Sequence, residues 1–217
     1  EMSRGLGDVY KRQLVNRRDG KLRVAVEDGA EVEIITVEDG SDDVRIEGEV
    51  GTLIVENTEA AVEVAGSAGK VEVPETAAGA QVKVAEGASV GTLNVAAPKT
   101  NVEVSGSVSS LTVQETAEAA AVTVNAAAAV SSMTSAADKL NVDGKGTVQN
   151  LTVTGGEGVV VSGDTKVSNV QNKGDDSILV GGEEVKPDTG SGGGGGTVTP
   201  PVTPAPTEAE LKKALLD

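Results

Sequence analysis

Thirty-four carboxylates and 18 basic side chains supply almost all the ionisable groups of this 217-residue chain, which has no His and no Cys. Without His there is no side chain that switches its charge near neutral pH unaided. Without Cys there is no thiolate nucleophile and no disulfide framework. General acid–base work would then fall to carboxylates in a cleft with their pKa values pushed apart. The carboxylates best placed for inspection are Glu63, Glu72 and Glu103. Each sits between two apolar residues, as in Val62-Glu63-Val64, Val71-Glu72-Val73 and Val102-Glu103-Val104. That alternation turns them away from a strand's buried face and into water. No catalytic residue is assigned, and the chain is not expected to be an enzyme.

Metal binding is the other chemistry that carboxylates offer. The acidic turns are "VEDGAE", residues 26–31, and "EDGSDD", residues 38–43. Ca²⁺ needs six to eight oxygens, and neither turn follows the EF-hand or the glycine-rich nonapeptide pattern. Asp-Gly is a turn pair in its own right. Asp39, Asp42 and Asp43 are left as a weak Ca²⁺ candidate, with no cofactor expected. The glycine run at 192–196 lacks the following Lys-Ser/Thr of a phosphate loop.

The formal net charge is −16. Phosphate backbones require clustered Lys and Arg, so nucleic acid is not an expected partner. No run reaches the roughly 18 apolar residues of a membrane span, so no membrane insertion is expected. Trp and Phe are absent and Tyr10 is the sole aromatic. A core of Val, Leu, Ile and Ala alone is narrow, which favours a thin body.

The elements that carry these side chains recur. A signal Val-x-x-Leu-x-Val occurs at Val50/Leu53/Val55, Val90/Leu93/Val95, Val108/Leu111/Val113 and Val148/Leu151/Val153, with weaker copies at Ile35, Val71, Met133 and Val170. The central residues run 35, 53, 71, 93, 111, 133, 151, 170, at intervals of 18 to 22. A shorter alternating signal lies between them, at Val44/Ile46, Val62/Val64, Val82/Val84, Val102/Val104, Val122/Val124 and Leu140/Val142, continuing at Val159–Val161 and Ile178–Val180. Two units form a superperiod of 40: "VGTLIVENTEAAVEVAGS" (50–67) matches "VGTLNVAAPKTNVEVSGS" (90–107) at ten of 18 positions.

A fixed period near 20 marks a solenoid, whose coils bury their apolar faces only on one another. A β-sandwich would repeat only after about 100 residues. The Ala-rich run "ETAEAAAVTVNAAAAVSS" has helical propensity, but its register with residues 73–84 places its alanines at tight corners. The expectation is an all-β parallel β-helix of about eight coils, with two short strands per coil, spanning residues 19–185. Residues 170–185 lose the pattern and are expected to close the stack. Thr112, Thr123 and Thr152 at outward positions resemble the flat Thr arrays of ice-binding solenoids. Ile54, Glu72, Asn94, Glu63 and Lys83 at equivalent positions interrupt that array. Polysaccharide lyases and hydrolases also use parallel β-helices, with longer coils, large loops and aromatic sugar platforms that this chain lacks.

The ends differ in composition. Residues 1–18 hold five of the 18 basic residues, and "GLGDVYKRQ" resembles a translated sequencing adapter. Residues 1–18 are read as an artefact or unstructured lead. Residues 186–206, "KPDTGSGGGGGTVTPPVTPAP", have linker composition. In "TEAELKKALLD", Thr207 and Glu210 form a capping-box pattern, and the start of a helix in a following domain is expected over 207–217.

"VGTLNV", "VSSLTV", "TVQNLTV", the closing "VGGEEV" and the Gly-then-Pro/Thr tail together resemble a family of β-solenoid repeat regions in large secreted or wall-associated proteins of Gram-positive bacteria. The resemblance covers about residues 20–206. It implies an extracellular or cell-surface location, neighbouring domains of the same chain and cell-wall or extracellular ligands as partners, and a monomeric structural spacer or stalk. It carries over no functional residues. The alternatives are an adhesin that contacts glycan or protein through an outward strand face or loops, and a self-polymerising scaffold.

Overall fold

The computed structural model describes residues 13–16, 21–27, 32–38 and 43–188, and all regular structure in them is β. Each central coil contributes a seven-residue strand and a four-residue strand, for example Ser89–Val95 and Asn101–Val104. The long strands form one sheet of nine and the short strands a second sheet of ten. Neighbours in each sheet are successive coils, and only the last pairing is antiparallel. This is the expected parallel β-solenoid of about eight coils. Nine long strands at about 4.8 Å spacing make a stack roughly 38 Å long.

The register follows the central series. Ile35, Leu53, Val71, Leu93, Leu111, Met133, Leu151 and Val170 stand in one column. From Ile35 to Leu151 these side chains are at most 1% exposed. Within each long strand the alternation breaks once: Val90 is buried, Gly91 and Thr92 both face out, and Leu93 and Val95 are buried again. Period-two alternation permits only one outward residue between inward ones. The strand must therefore bend at 91–92 for Val90 and Leu93 both to reach the core.

Corner lengths explain the alternating intervals. The corner from long to short strand has five residues at 96–100 and seven at 114–120; the return corner has two at 105–106 and four at 125–128. Both lengthen by two, which leaves the inward parity of the following strand unchanged. Of the Ala-rich run, Ala117, Ala120 and Ala128 are buried in these corners, while Ala121 and Ala129 begin strands. Ala77, Ala97 and Ala137 are fully buried at the corner position of Ala117 in other coils. Just before the short strand, Gly79, Lys99, Ala119 and Lys139 all have left-handed backbones, with φ of 83°, 57°, 57° and 55°. That conformation aims each N–H at the next coil. Gly79 donates to the Pro98 carbonyl at 2.9 Å, Lys99 to Glu118 at 2.8 Å, Ala119 to Asp138 at 2.9 Å and Lys139 to Glu157 at 2.6 Å.

One expected register is corrected. Leu140 does not stack on Val122. The column is Val62, Val82, Val102, Val122, Val142, Val161, Val180. Two residues further on, Val124 is followed by Gly144; two residues back, the Asn141 N–H bonds the Ala120 carbonyl, which sets Leu140 over Ala120. Bulk lost at Gly144 is thus restored at Leu140, on the same face. Gly144 has φ +112°, and a Cβ there would lie 2.1 Å from the Val124 carbonyl oxygen, so Val cannot occupy the position.

The boundary at residue 19 is also passed: Gln13–Asn16 pairs with Ile34–Val37 in the long-strand sheet. Val15 has strand propensity, and an acid–base imbalance does not register it. The linker reading of 186–206 beyond Asp188, the helix over 207–217 and the start of the adapter-like stretch lie outside the described residues. At the other end the chain closes itself. Ile178–Val180 continues the short-strand sheet, Gly181 and Gly182 turn with positive φ, and Glu183–Val185 comes back antiparallel. Asn172 stands at the end of the column Val95, Val113, Ser135, Val153. Fully buried, it donates to the Asp176 and Val185 carbonyls at 2.8 and 3.1 Å and accepts from the Gly174 N–H at 3.2 Å.

Candidate functional site

The outward faces of the two sheets are where this molecule can meet another, and they differ in chemistry. On the short-strand sheet one outward column reads Arg23, Arg45, Glu63, Lys83, Glu103, Thr123, Asp143. From Arg45 to Glu103 the signs alternate, so neighbours 4.8 Å apart attract rather than repel. Arg45 bridges Glu63 in the next coil and Glu47 on its own strand, at 2.5 and 3.0 Å. Glu47 also bonds Arg23. Hydrogen bonds from Arg23 and then Arg45 hold the Glu47 carboxyl down at about 2. Lys83 lies 3.8 Å from Glu103, which accepts from Asn125 at 2.9 Å.

The carboxylates singled out from sequence are therefore engaged: Glu63 with Arg45, Glu103 with Lys83, and Glu72 with Lys70 at 2.5 Å. The structure does not bring these three together. Glu72 is on the long-strand sheet and the other two are on the short-strand sheet, separated by the Lys83 coil. Of the Ca²⁺ candidates, Asp39 and Asp42 lie outside the described residues. Asp43 is exposed and its Oδ1 accepts the Ala61 N–H at 3.1 Å, tying two coils together. Among the described residues no group of three or more acidic side chains is placed to hold a metal. No helix among them is long and apolar enough to cross a membrane.

The long-strand sheet presents the other face. Beside the outward position of Gly91, which Ser109, Ser131, Gln149 and Ser168 occupy in later coils, two further outward columns run along it. The first is Thr92, Ser110, Ser132, Asn150, Asn169 and the second Asn94, Thr112, Thr134, Thr152, Gln171. The five strands that carry them, from Ser89–Val95 to Lys166–Asn172, contain no acidic residue and one basic residue, Lys166 at the edge. The chain matches no family model, no curated protein and no solved structure.

The geometry of the long-strand sheet changes which of the threonines noted in the sequence share a face. Thr123 belongs to the short-strand sheet. Thr134 takes its place, stacked between Thr112 and Thr152. Sequence reading passed over Thr134 because its strand, "AVSSMTS", has Met and Ser where the motif has Leu and Val. The central position of Met133 in the repeat series was the signal that could have found it.

Proposed function

We propose that this chain is a structural spacer module of a secreted or cell-surface protein, of the kind found on Gram-positive bacteria, without catalysis. One continuous core running through every coil supports this reading. Bending the rod would have to shear Val-on-Val and Leu-on-Leu columns and stretch the parallel ladders of both sheets at once. The acidic corners, with Glu75, Glu86, Glu115, Glu118 and Glu157 all exposed, keep such rods apart by like-charge repulsion. Neighbouring domains of the same chain are its natural partners, held at a fixed separation.

Small-angle X-ray scattering with light scattering on the full chain tests the proposal. A monomer with an elongated body about 38 Å in length is expected. Filaments that lengthen with concentration would overturn it in favour of a self-polymerising scaffold.

A further inference from the structure

We propose that the outward face of the long-strand sheet, over strands 89–95, 107–113, 129–135, 147–153 and 166–172, uncharged except for Lys166 at its edge, is a docking surface for an extended, uncharged polysaccharide chain. The inference goes beyond the spacer reading and does not depend on it.

Charge is kept off this face. Residues 89–172 contain seven acidic side chains, Glu103, Glu115, Glu118, Asp138, Asp143, Glu157 and Asp164. All seven lie on the short-strand sheet or in the corners. The fold does not demand this. In earlier coils the same outward columns carry Ile34, Lys70, Ile54 and Glu72, and the opposite sheet fills its column with alternating charges. The hydroxyls are also unspent. Thr92, Ser110, Thr112, Ser132, Thr134 and Thr152 are partly exposed and make no side-chain hydrogen bond within the described residues. They stand side by side at the strand spacing of about 4.8 Å.

The chemistry of the face selects its occupant. Hydroxyls and amides both donate and accept, which suits a polyhydroxyl ligand. A net charge of −16 disfavours anionic polymers. A second copy of this chain is the wrong size: five strands offer roughly 24 Å by about 20 Å, well short of the ~800 Å² per partner of a stable interface. An ordered water lattice would require uniform side chains, and Asn94, Asn150, Asn169 and Gln171 break that uniformity. No aromatic ring is present to stack on a sugar, so each contact is weak. The repeat along the stack compensates, because a polymer can engage successive coils at once.

Affinity electrophoresis of the full chain tests this, in native gels cast with a β-glucan, an α-glucan or a galactomannan. At least one of the three is expected to retard the protein in proportion to its concentration. The combined variant Thr112→Val, Thr134→Val, Thr152→Val, checked for an unchanged denaturation midpoint, is expected to bind about tenfold more weakly. Thr123→Val on the other sheet is expected to leave retardation unchanged. If the triple variant does not fold, Thr134→Lys alone, compared with its own mobility in glycan-free gel, gives the same readout. Unchanged mobility in all three glycans would overturn the proposal. So would equal retardation of the face variants, ice-crystal shaping without glycan retardation, or dimerisation abolished by the triple substitution.

Discussion

At the scale of single residues, Glu47 shows how this acidic molecule orders its charges. Its carboxylate accepts from Arg23 one coil below and from Arg45 on its own strand, which lowers its pKa from 4.5 to about 2. A carboxyl whose pKa is depressed on folding stabilises the fold fully above its unfolded pKa, and that contribution disappears as pH falls through the folded value. The window for Glu47 is therefore pH 4.5 down to about 2. In urea denaturation across that window, the midpoint of the native protein is expected to fall more than that of Glu47→Gln. Parallel curves would show that the exposed bridges are screened away. Strand alternation already placed Glu63 and Glu103 outward. Their partners Arg45 and Lys83 come from neighbouring coils, 18 and 20 residues away, and alternation within one strand does not reach that far.

At the scale of elements, the corners do the regulating. Long and short corners between residues 56 and 140 differ by two residues, the side-chain period of a strand, while the 154–159 corner has six and takes up the odd residue itself. Deleting Glu115 and Thr116 together shortens the 114–120 corner to the length of 96–100. The expected cost is the Thr116 hydroxyl bond to the Ala96 carbonyl at 2.7 Å, about 1 kcal/mol. Deleting Glu115 alone leaves six residues, the length of the 154–159 corner, after which Val161 is still buried. The following strand is therefore expected to keep Val122 and Val124 inward, at a cost within about 1 kcal/mol of the double deletion. Chemical denaturation of the two deletions measures the difference, and an extra loss of about 3 kcal/mol or more for the single deletion, the cost of turning both valines into water, would show that the corner cannot absorb an odd residue.

Across the whole molecule, stability is shared between neighbouring coils, as in other stacked repeats. Asn172 is the device that ends the stack, holding residues 174–185 over the last long strand. Asn172→Ala is expected to lower the local stability of residues 166–185 by about 2 kcal/mol. Amide exchange in the middle coils, such as 107–124, should be unchanged. Faster exchange everywhere would mean that the rod unfolds as one unit instead.

The all-β character, the recurrence of coils every 18 to 22 residues and the central series from Ile35 to Val170 are legible in the residues alone, and the ladders reproduce that series position by position. They are legible because Val-x-x-Leu-x-Val breaks the alternation once and so marks its own register. The short strands carry no such mark. Pure alternation looks the same after a shift of two residues, so Leu140 could be set beside Val122 or beside Ala120 without disturbing which side chains face inward. The choice is made by long-range contacts: hydrogen bonds from coil to coil and the crowding that keeps a Cβ off Gly144. The same long-range pairing put Thr134 between Thr112 and Thr152 and assembled the uncharged face, which belongs to no single stretch of the chain.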